Sequence, residues 1–235
     1  MFWILVWLKN LLSGAIRMPE ILSVNKILVT ILGYPMSYIE AVGTVLYLWS
    51  VWLIAKRRIL TWPVGLVSVV LYGLLFYQIR LYSDAIEQIY YIGASIYGWW
   101  HWSKAPRDNG TVMGVAFSGR RSILFYIALT VVLSAATGTI MSRVHLLAPV
   151  IFPEPASFPY LDALTTIMSF TAMWLMARQR TESWVYWIIV DVIGIGLYYS
   201  KNVKFVALLY VVLLVLASKG LAEWIKTADR DKRAG

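Results

Sequence analysis

The sequence predicts an all-α membrane protein with seven core transmembrane helices. Hydrophobic residues make up 60% of the 235-residue chain and charged residues 14%, whereas soluble domains average about 45–50% apolar and about 25% charged residues. The mean hydropathy is +0.69. Apolar segments of about 20 residues, the length that crosses a bilayer, recur along the chain. The chain has no cysteine, which excludes a disulfide framework and a thiolate metal site.

The N-terminal segment, residues 1–36, begins with an amphipathic stretch. Lys9 interrupts the apolar run that a signal peptide needs, and no small-residue cleavage site follows. We expect a helix in the membrane interface, with lipid-facing Phe2, Trp3, Val6 and Trp7 and water-facing Lys9, Asn10 and Arg17. An additional transmembrane crossing is the alternative.

Seven later segments have the length and apolar content of transmembrane helices: 37–55, 60–78, 85–102, 122–144, 160–177, 184–200 and 205–219. Residues 103–121 are long and contain glycine, which is typical of a linker. Residues 148–159 contain four prolines and are predicted to be ordered but not helical. A basic tail, residues 225–235, follows the last repeat.

Lysine and arginine are concentrated on one side of the predicted bundle, in the connections after the first, third and fifth core helices and in the tail. Connections rich in these residues stay in the cytoplasm, which predicts a cytoplasmic C-terminus. The net charge of +9 is therefore interpreted as a topology signal, and no nucleic-acid partner is expected.

An internal repeat organises the core. Shifting the sequence by 122 positions aligns Tyr38 with Tyr160, Trp52 with Trp174, Trp62 with Trp184, Gly98 with Gly220 and Trp102 with Trp224. This predicts two parallel three-helix repeats, 37–102 and 160–224. Because three helices reverse the direction of the chain, the fourth helix within 103–159 restores it. Parallel repeats of this kind place a substrate site at their interface near the bilayer midplane.

Polar residues at membrane depth are candidates for that site because burying them in lipid is costly. Spacings of three and four residues place Gln88 on one helical face with Asp84, Tyr91, Ser95 and Trp102, and Asp191 on another with Trp184, Trp187 and Tyr198. Tyr210 occupies the position of Gln88 in the second repeat. The predicted substrate-binding residues are Gln88, Tyr91, Trp184, Trp187, Asp191 and Tyr210.

Together these side chains predict a pocket with flat aromatic walls, an amide and a carboxylate. An aromatic face attracts a cation by about 0.5–2 kcal/mol, and an amide both donates and accepts hydrogen bonds. The pocket would suit a planar, polar ligand, including a cationic one. The alternative is that the tryptophans and tyrosines only form aromatic belts at the membrane interface.

No motif for catalysis or metal binding is present. His101 and His145 lie near segment ends without a second ligand at metal spacing. The phosphate-binding GxxxxGK[ST] and nucleophile GxSxG motifs are absent. We therefore predict no catalytic residue, no metal and no cofactor.

Several motifs resemble those of the PnuC nicotinamide riboside transporters. They are WPVGL at 62–66, FYQIRLY at 76–82, IYGWWHW at 96–102, MAR at 176–178, ESWVYW at 182–187 and KGLAEW at 219–224. The resemblance covers about residues 38–224. Trp184 and Trp187 match the WxxW motif of the family and Gln88 matches its third-helix glutamine, whereas relatives can carry asparagine at Asp191.

The resemblance implies a multi-pass facilitator of the bacterial inner membrane that imports nicotinamide riboside, a precursor of NAD. It also implies a 3+1+3 architecture similar to that of the SWEET sugar carriers, a homotrimer, and alternating access without ATP. A cytoplasmic kinase would trap the riboside by phosphorylation.

Three alternatives remain open at this point. Thiamin or a riboflavin-like molecule would also fit between aromatic walls. A seven-helix retinal photoreceptor needs a Schiff-base lysine deep in the last helix, but Lys219 lies at the predicted end of that helix. An intramembrane enzyme would need a nucleophile and base pair that the sequence does not offer.

Overall fold

The computed structural model describes residues 20–31, 33–147, 158–200 and 203–234, and most of these are helical. The helices of this described part are α1 (Tyr38–Ala55), α2 (Thr61–Gln78), α3 (Tyr82–Lys104), α4 (Arg120–Leu147), α5 (Pro159–Ala177), α6 (Ser183–Ser200) and α7 (Lys204–Ala234). Five of them, α1, α2, α4, α6 and α7, are long and apolar enough to cross a membrane by length and composition. The predicted all-α membrane fold is confirmed.

Local sequence explains where the repeats begin. α1 starts after Ser37, whose hydroxyl accepts the backbone N–H of Glu40 at 3.4 Å, as expected for an N-cap. Its repeat counterpart, α5, starts at Pro159, which is favourable because proline lacks the N–H that a first helical turn leaves unpaired. α1 and α5 are each followed by a left-handed residue, Arg57 with φ 55° and Gln179 with φ 59°. These two residues are also aligned by the repeat.

The helix packing follows the repeat. Within the first repeat α2 packs against α1 and α3, and within the second α6 packs against α5 and α7. The repeats meet along two seams, α1 with α7 and α3 with α5, and the shift of 122 positions relates one seam to the other. α4 packs mainly on α5, so it lies at the periphery.

Two glycines allow equivalent close contacts in the two repeats. A Cβ at Gly98 would lie 2.3 Å from the Trp62 ring, and a Cβ at Gly220 would lie 2.6 Å from the Trp184 ring. Any side chain at either position would therefore displace a buried indole. The helix pairs α2–α3 and α6–α7 approach each other closely because these residues are glycine.

Residues 107–118, here called the linker strap, cross between the two repeats at one end of the bundle. The strap contains β3 (Arg107–Asp108) and β4 (Thr111–Val112), which form a small hairpin. The Val112 N–H donates to the Arg57 carbonyl at 3.0 Å, and the Ala116 N–H donates to the Gln179 carbonyl at 3.2 Å. The strap pairs antiparallel with the first loop and parallel with the second.

A second hairpin precedes α1 and was not predicted. β1 (Ile27–Ile31) pairs antiparallel with β2 (Tyr34–Ser37). The Tyr34 hydroxyl donates to the Glu40 carboxylate at 2.6 Å, and its ring stacks on Phe205 at 5.3 Å. The pKa of Tyr34 is raised, mainly by burial and secondly by this hydrogen bond. The hairpin thus contacts both repeats. The predicted amphipathic helix at the N-terminus and most of the proline-rich loop lie outside the described residues.

α7 continues beyond the predicted span 205–219 and includes most of the segment predicted as a tail. Trp224 is fully buried and Ala228 is 3% exposed, so the added turns still pack against the protein. This burial stabilises a helix whose sequence has become polar and would not remain in lipid.

Candidate functional site

Tyr47, on α1, lies at the centre of the bundle. Its hydroxyl lies close enough to interact electrostatically with Asp191, Tyr210, Tyr91 and Tyr72. These four residues belong to four other helices, from both repeats. Despite this central position Tyr47 is only partly buried. These five residues meet at the centre of the bundle, and the region that they border is here called the central opening.

Tyr72 and Tyr91 are held in place by contacts with neighbouring helices. The Tyr72 hydroxyl is 2.7 Å from the Thr44 hydroxyl, and its ring meets that of Tyr47 edge-on at 6.5 Å. The Tyr91 ring meets that of Phe170 edge-on at 5.7 Å. Because Phe170 lies on α5, Tyr91 is packed at the seam between α3 and α5.

Tyr210 contributes an aromatic wall from α7. Its ring packs on Gly194, where a Cβ would lie 2.5 Å from the ring, and it stacks on Tyr198 at 5.4 Å with an interplanar angle of 19°. Tyr198 and Gly194 both lie on α6, so the ring is fixed against the helix that carries Asp191. The phenol is thereby positioned beside the carboxylate.

Asp191 is the least compensated charge of the central opening. Its side chain is only 3% exposed, yet among the described residues it has neither a hydrogen-bond donor nor an ion-pair partner. A buried carboxylate without a partner is strongly destabilising. Such a residue within a transmembrane helix is a functional candidate, because a cation or a proton would compensate its charge.

Gln88 occupies the counterpart position of Tyr210 but has a different environment. Its amide nitrogen donates to the Asp84 carbonyl of its own helix at 3.2 Å, and its aliphatic carbons pack beside Gly73 on α2. The preceding residue, Glu87, accepts the Thr166 hydroxyl at 3.2 Å across the α3–α5 seam. In the described conformation the Gln88 amide nitrogen is therefore bonded within its own helix, α3.

Trp184 lies in a buried aromatic group near the linker strap, here called the tryptophan cluster and defined by Trp62, Trp102, Trp184 and Trp224. The rings of Trp184 and Trp224 are 5.6 Å apart, and those of Trp62 and Trp102 are 5.4 Å apart. Trp187 is partly buried and packs against this cluster. The structure thus groups Asp191, Tyr210 and Tyr91 around Tyr47, and places Trp184 with the cluster.

Two of the four indole N–H groups in the tryptophan cluster donate hydrogen bonds to the opposite repeat, and the other two have no acceptor within the described residues. Trp102 donates to the Ala177 carbonyl at 3.1 Å, and Trp224 donates to the Ile54 carbonyl at 3.2 Å. Within the described part of the chain, the indole nitrogens of Trp62 and Trp184 are buried without a hydrogen-bond partner. These two unpaired donors are repeat counterparts.

Sequence reasoning missed Tyr47. A usable signal was present, since the shift of 122 positions pairs Tyr47 with Ser169 and so identifies a polar position at membrane depth in both repeats. No group of three or more His, Asp or Glu within the described ranges could hold a metal ion.

Comparison with known proteins identifies the family. The family described as nicotinamide mononucleotide transporter matches residues 37–226. The nicotinamide riboside transporter PnuC of Escherichia coli is 32% identical over 220 residues, covering 86% of this chain and 91% of that protein. The chain belongs to the PnuC family. The recognition made from its motifs is therefore confirmed, and the protein is a multi-pass membrane protein.

Other PnuC-family comparisons show how far this relationship extends. The riboflavin/roseoflavin transporter RibM of Streptomyces davaonensis is 28% identical over 199 residues, covering 83% of this chain and 87% of that protein. A crystal structure of the vitamin B3 transporter PnuC superposes with a TM-score of 0.64 at 24% identity, covering 82% of this chain and 83% of that one. That similarity shows a shared fold. The similar proteins are transporters, in agreement with the prediction of a non-enzymatic role.

Proposed function

We propose that this chain imports nicotinamide riboside across the bacterial inner membrane by facilitated diffusion. The observation that carries the proposal is the unpartnered Asp191 carboxylate beside Tyr47 and Tyr210. The riboside has a flat pyridinium ring with a positive charge. That charge would compensate the buried carboxylate, and the phenol rings would contact the cationic ring face. The names of the PnuC relatives support the same substrate.

The remaining predicted residues have distinct roles in this proposal. Tyr91 and Tyr210 contact the ribose or carboxamide from opposite repeats. Gln88 exchanges its bond to the Asp84 carbonyl for one to the substrate, which costs little because one hydrogen bond replaces another. Trp187 lies between Asp191 and the tryptophan cluster and closes the site on that side. Trp184 acts through the cluster and does not touch the substrate.

Transport would proceed by alternating access around this site. The positive-inside rule places the linker strap and the C-terminus in the cytoplasm, so the tryptophan cluster closes the cytoplasmic end in the described conformation. The indole donors of Trp62 and Trp184 have no acceptor within the described residues, so they destabilise this closed arrangement. A buried unsatisfied donor costs about 1–3 kcal/mol. Opening would expose them to water. Phosphorylation by a cytoplasmic kinase would then retain the imported riboside.

Uptake into proteoliposomes tests the substrate site. We expect Asp191→Asn to weaken uptake of labelled nicotinamide riboside by at least about tenfold, because the cation loses its counter-charge. Asp108→Asn removes an exposed carboxylate of the linker strap and serves as the matched control. Equal uptake by the Asp191 variant and the parent protein would show that the carboxylate does not bind the substrate.

Riboflavin is the second candidate, favoured by the similarity to RibM. Its isoalloxazine ring is flat but uncharged at neutral pH, so a riboflavin carrier would not require the charge of Asp191. Uptake of labelled nicotinamide riboside and of labelled riboflavin is measured in the presence of unlabelled riboside, riboflavin, nicotinamide or nicotinamide mononucleotide. Saturable uptake of riboflavin without saturable uptake of the riboside would replace the proposed substrate, whereas riboside uptake that only unlabelled riboside inhibits supports it.

A homotrimer is proposed for the assembled transporter. Its support is the peripheral position of α4, which packs mainly on α5 and has exposed apolar side chains, including Phe125 at 60% and Val132 at 63%. This face is available to lipid or to another copy of the chain. Mass photometry of the protein in nanodiscs would distinguish a trimer from a monomer.

A further inference from the structure

A basic cavity lies at the linker end of the seam between α1 and α7. Its volume is about 300 Å³, and it is lined by Trp52, Lys56, Arg57, Arg58, Thr111 and Glu223. Three positive charges face one carboxylate, so the cavity has a net positive charge. The Lys56 ammonium and the Glu223 carboxylate, 2.8 Å apart, bridge the two repeats at this point.

The cavity continues into an apolar surface of α1. Trp52, which belongs to its lining, is 48% exposed. Trp49, Val45 and Val42 are exposed on the same helical face at successive spacings of three and four residues. Exposed apolar residues along a transmembrane helix contact acyl chains, and a tryptophan at the end of such a face lies at headgroup level. The cavity is therefore placed where a lipid headgroup lies.

Arg58 is held in an orientation suited to a phosphate. One of its guanidinium nitrogens donates to the Asn109 carbonyl at 2.7 Å, and the same nitrogen approaches Gly110, where a Cβ would lie 2.8 Å away. The β3–β4 hairpin thus fixes one edge of the guanidinium. An arginine has five N–H donors in a planar fork, so others remain for a phosphodiester, and this geometry binds phosphate well.

We propose that this cavity binds the headgroup of an anionic phospholipid. Lys56 and Arg58 bind the phosphodiester, and an acyl chain lies along Val42, Val45 and Trp49. Basic pockets between transmembrane helices on the cytoplasmic side bind anionic headgroups by the same chemistry. The phosphodiester competes with Glu223 for Lys56. A lipid in this position contacts both α1 and α7 and stabilises the linker end. The proposal does not depend on which molecule is transported.

The equivalent loop of the second repeat provides a matched control. Arg178 and Arg180 are the repeat counterparts of Lys56 and Arg58, but the guanidinium of Arg178 lies over the Trp174 ring at 5.7 Å. His101 occupies the position that corresponds to Glu223. Removing two positive charges from this second loop changes the net charge of the protein equally, without changing the cavity.

Native mass spectrometry and thermal unfolding of the detergent-purified chain test the site. The probes are dioleoyl phosphatidylglycerol, dioleoyl phosphatidylcholine and soluble glycerol 3-phosphate. We expect phosphatidylglycerol to remain bound and to raise Tm, and the Lys56→Gln/Arg58→Gln variant to retain it at least about tenfold more weakly. The Arg178→Gln/Arg180→Gln variant retains it as the parent protein does. Glu223→Gln, which removes the competing carboxylate, binds the lipid more tightly.

Three other results would each contradict the proposal that the cavity binds an anionic lipid. Equal loss of phosphatidylglycerol in both double variants would show diffuse attraction to basic charge. Equal retention of phosphatidylcholine would show that the headgroup charge is not recognised, and an equal Tm shift with glycerol 3-phosphate would show a free-phosphate site. If the Lys56→Gln/Arg58→Gln variant does not fold, unchanged lipid binding by Glu223→Gln alone would overturn the proposal.

Discussion

The indole N–H of Trp102 donates to the backbone carbonyl of Ala177, 3.1 Å away in the opposite repeat. The counterpart indole, Trp224, donates to the Ile54 carbonyl at 3.2 Å. Each repeat therefore donates a hydrogen bond from its third helix to the end of the first helix of the other repeat. Both bonds are buried, so they join the repeats at the linker end without competition from water.

Trp102→Phe should destabilise this end of the bundle. The variant keeps a large ring but leaves the Ala177 carbonyl without its indole donor, and a buried unsatisfied group costs about 1–3 kcal/mol. A fall in Tm measured in detergent would show the loss. Trp99→Phe is the control, because Trp99 is 42% exposed on the same helix. Equal Tm changes in the two variants would show that the hydrogen bond does not contribute.

Gly98→Ala and Gly93→Ala should change stability in opposite directions although both lie on α3. At Gly98 the new methyl would lie 2.3 Å from Trp62, whereas at Gly93 it would meet no other helix within 4 Å in the described part of the chain. Overpacking costs about 1–3 kcal/mol, while alanine in an open helical position is favoured over glycine by about 1 kcal/mol. Thermal unfolding should therefore give a lower Tm for Gly98→Ala only. Stabilisation by both substitutions would contradict the close helix approach.

Much of the helical framework was predictable because apolar length and the repeat constrain it independently. α1 begins at Tyr38 and α5 begins at Pro159. Each of these first residues is within one position of the start of the predicted span. The hairpin at 27–37 was not recognised because its first strand, although four of its five residues are β-branched, was assigned to the interfacial segment. The extension of α7 was also missed, because Trp224 is buried by tertiary contacts that hydropathy does not record.

The candidate site was only partly predictable for a geometric reason. Helical spacing identifies the face that a residue occupies, but it does not give the depth of that residue in the bundle. Trp184 and Asp191 share a face of α6, yet seven residues of helix separate them by about 10 Å. Trp184 consequently packs in the tryptophan cluster, whereas Asp191 borders the central opening. Tyr47 was overlooked because an aromatic residue in an apolar helix stands out only when the repeat pairs it with the polar Ser169.

Tyr47→Phe should weaken substrate binding without preventing folding. The ring and its contact with Tyr72 remain, but the hydroxyl that faces Asp191 and Tyr210 is lost. Losing one neutral hydrogen bond to the substrate would raise KM for uptake several-fold, at about 0.5–1.5 kcal/mol. Tyr199→Phe is the control because Tyr199 is 71% exposed on α6. An unchanged KM in Tyr47→Phe would remove this residue from the site.

Glu182→Ala should loosen the linker strap. Both carboxylate oxygens of Glu182, which is 7% exposed, accept the backbone N–H of Ser118, at 3.3 and 3.2 Å. Alanine leaves that N–H without its acceptor at a cost of about 1–3 kcal/mol, so amide hydrogen exchange at 115–119 should accelerate. Glu182→Gln is the conservative control. Its side-chain carbonyl oxygen still accepts one hydrogen bond, so this variant should retain most of the protection from exchange.

The same substitution should affect transport. Because the strap pairs with the loops of both repeats, Glu182→Ala should also speed uptake if opening of the linker end limits transport. Equal exchange rates in Glu182→Ala and the parent protein would show that Glu182 does not anchor the strap.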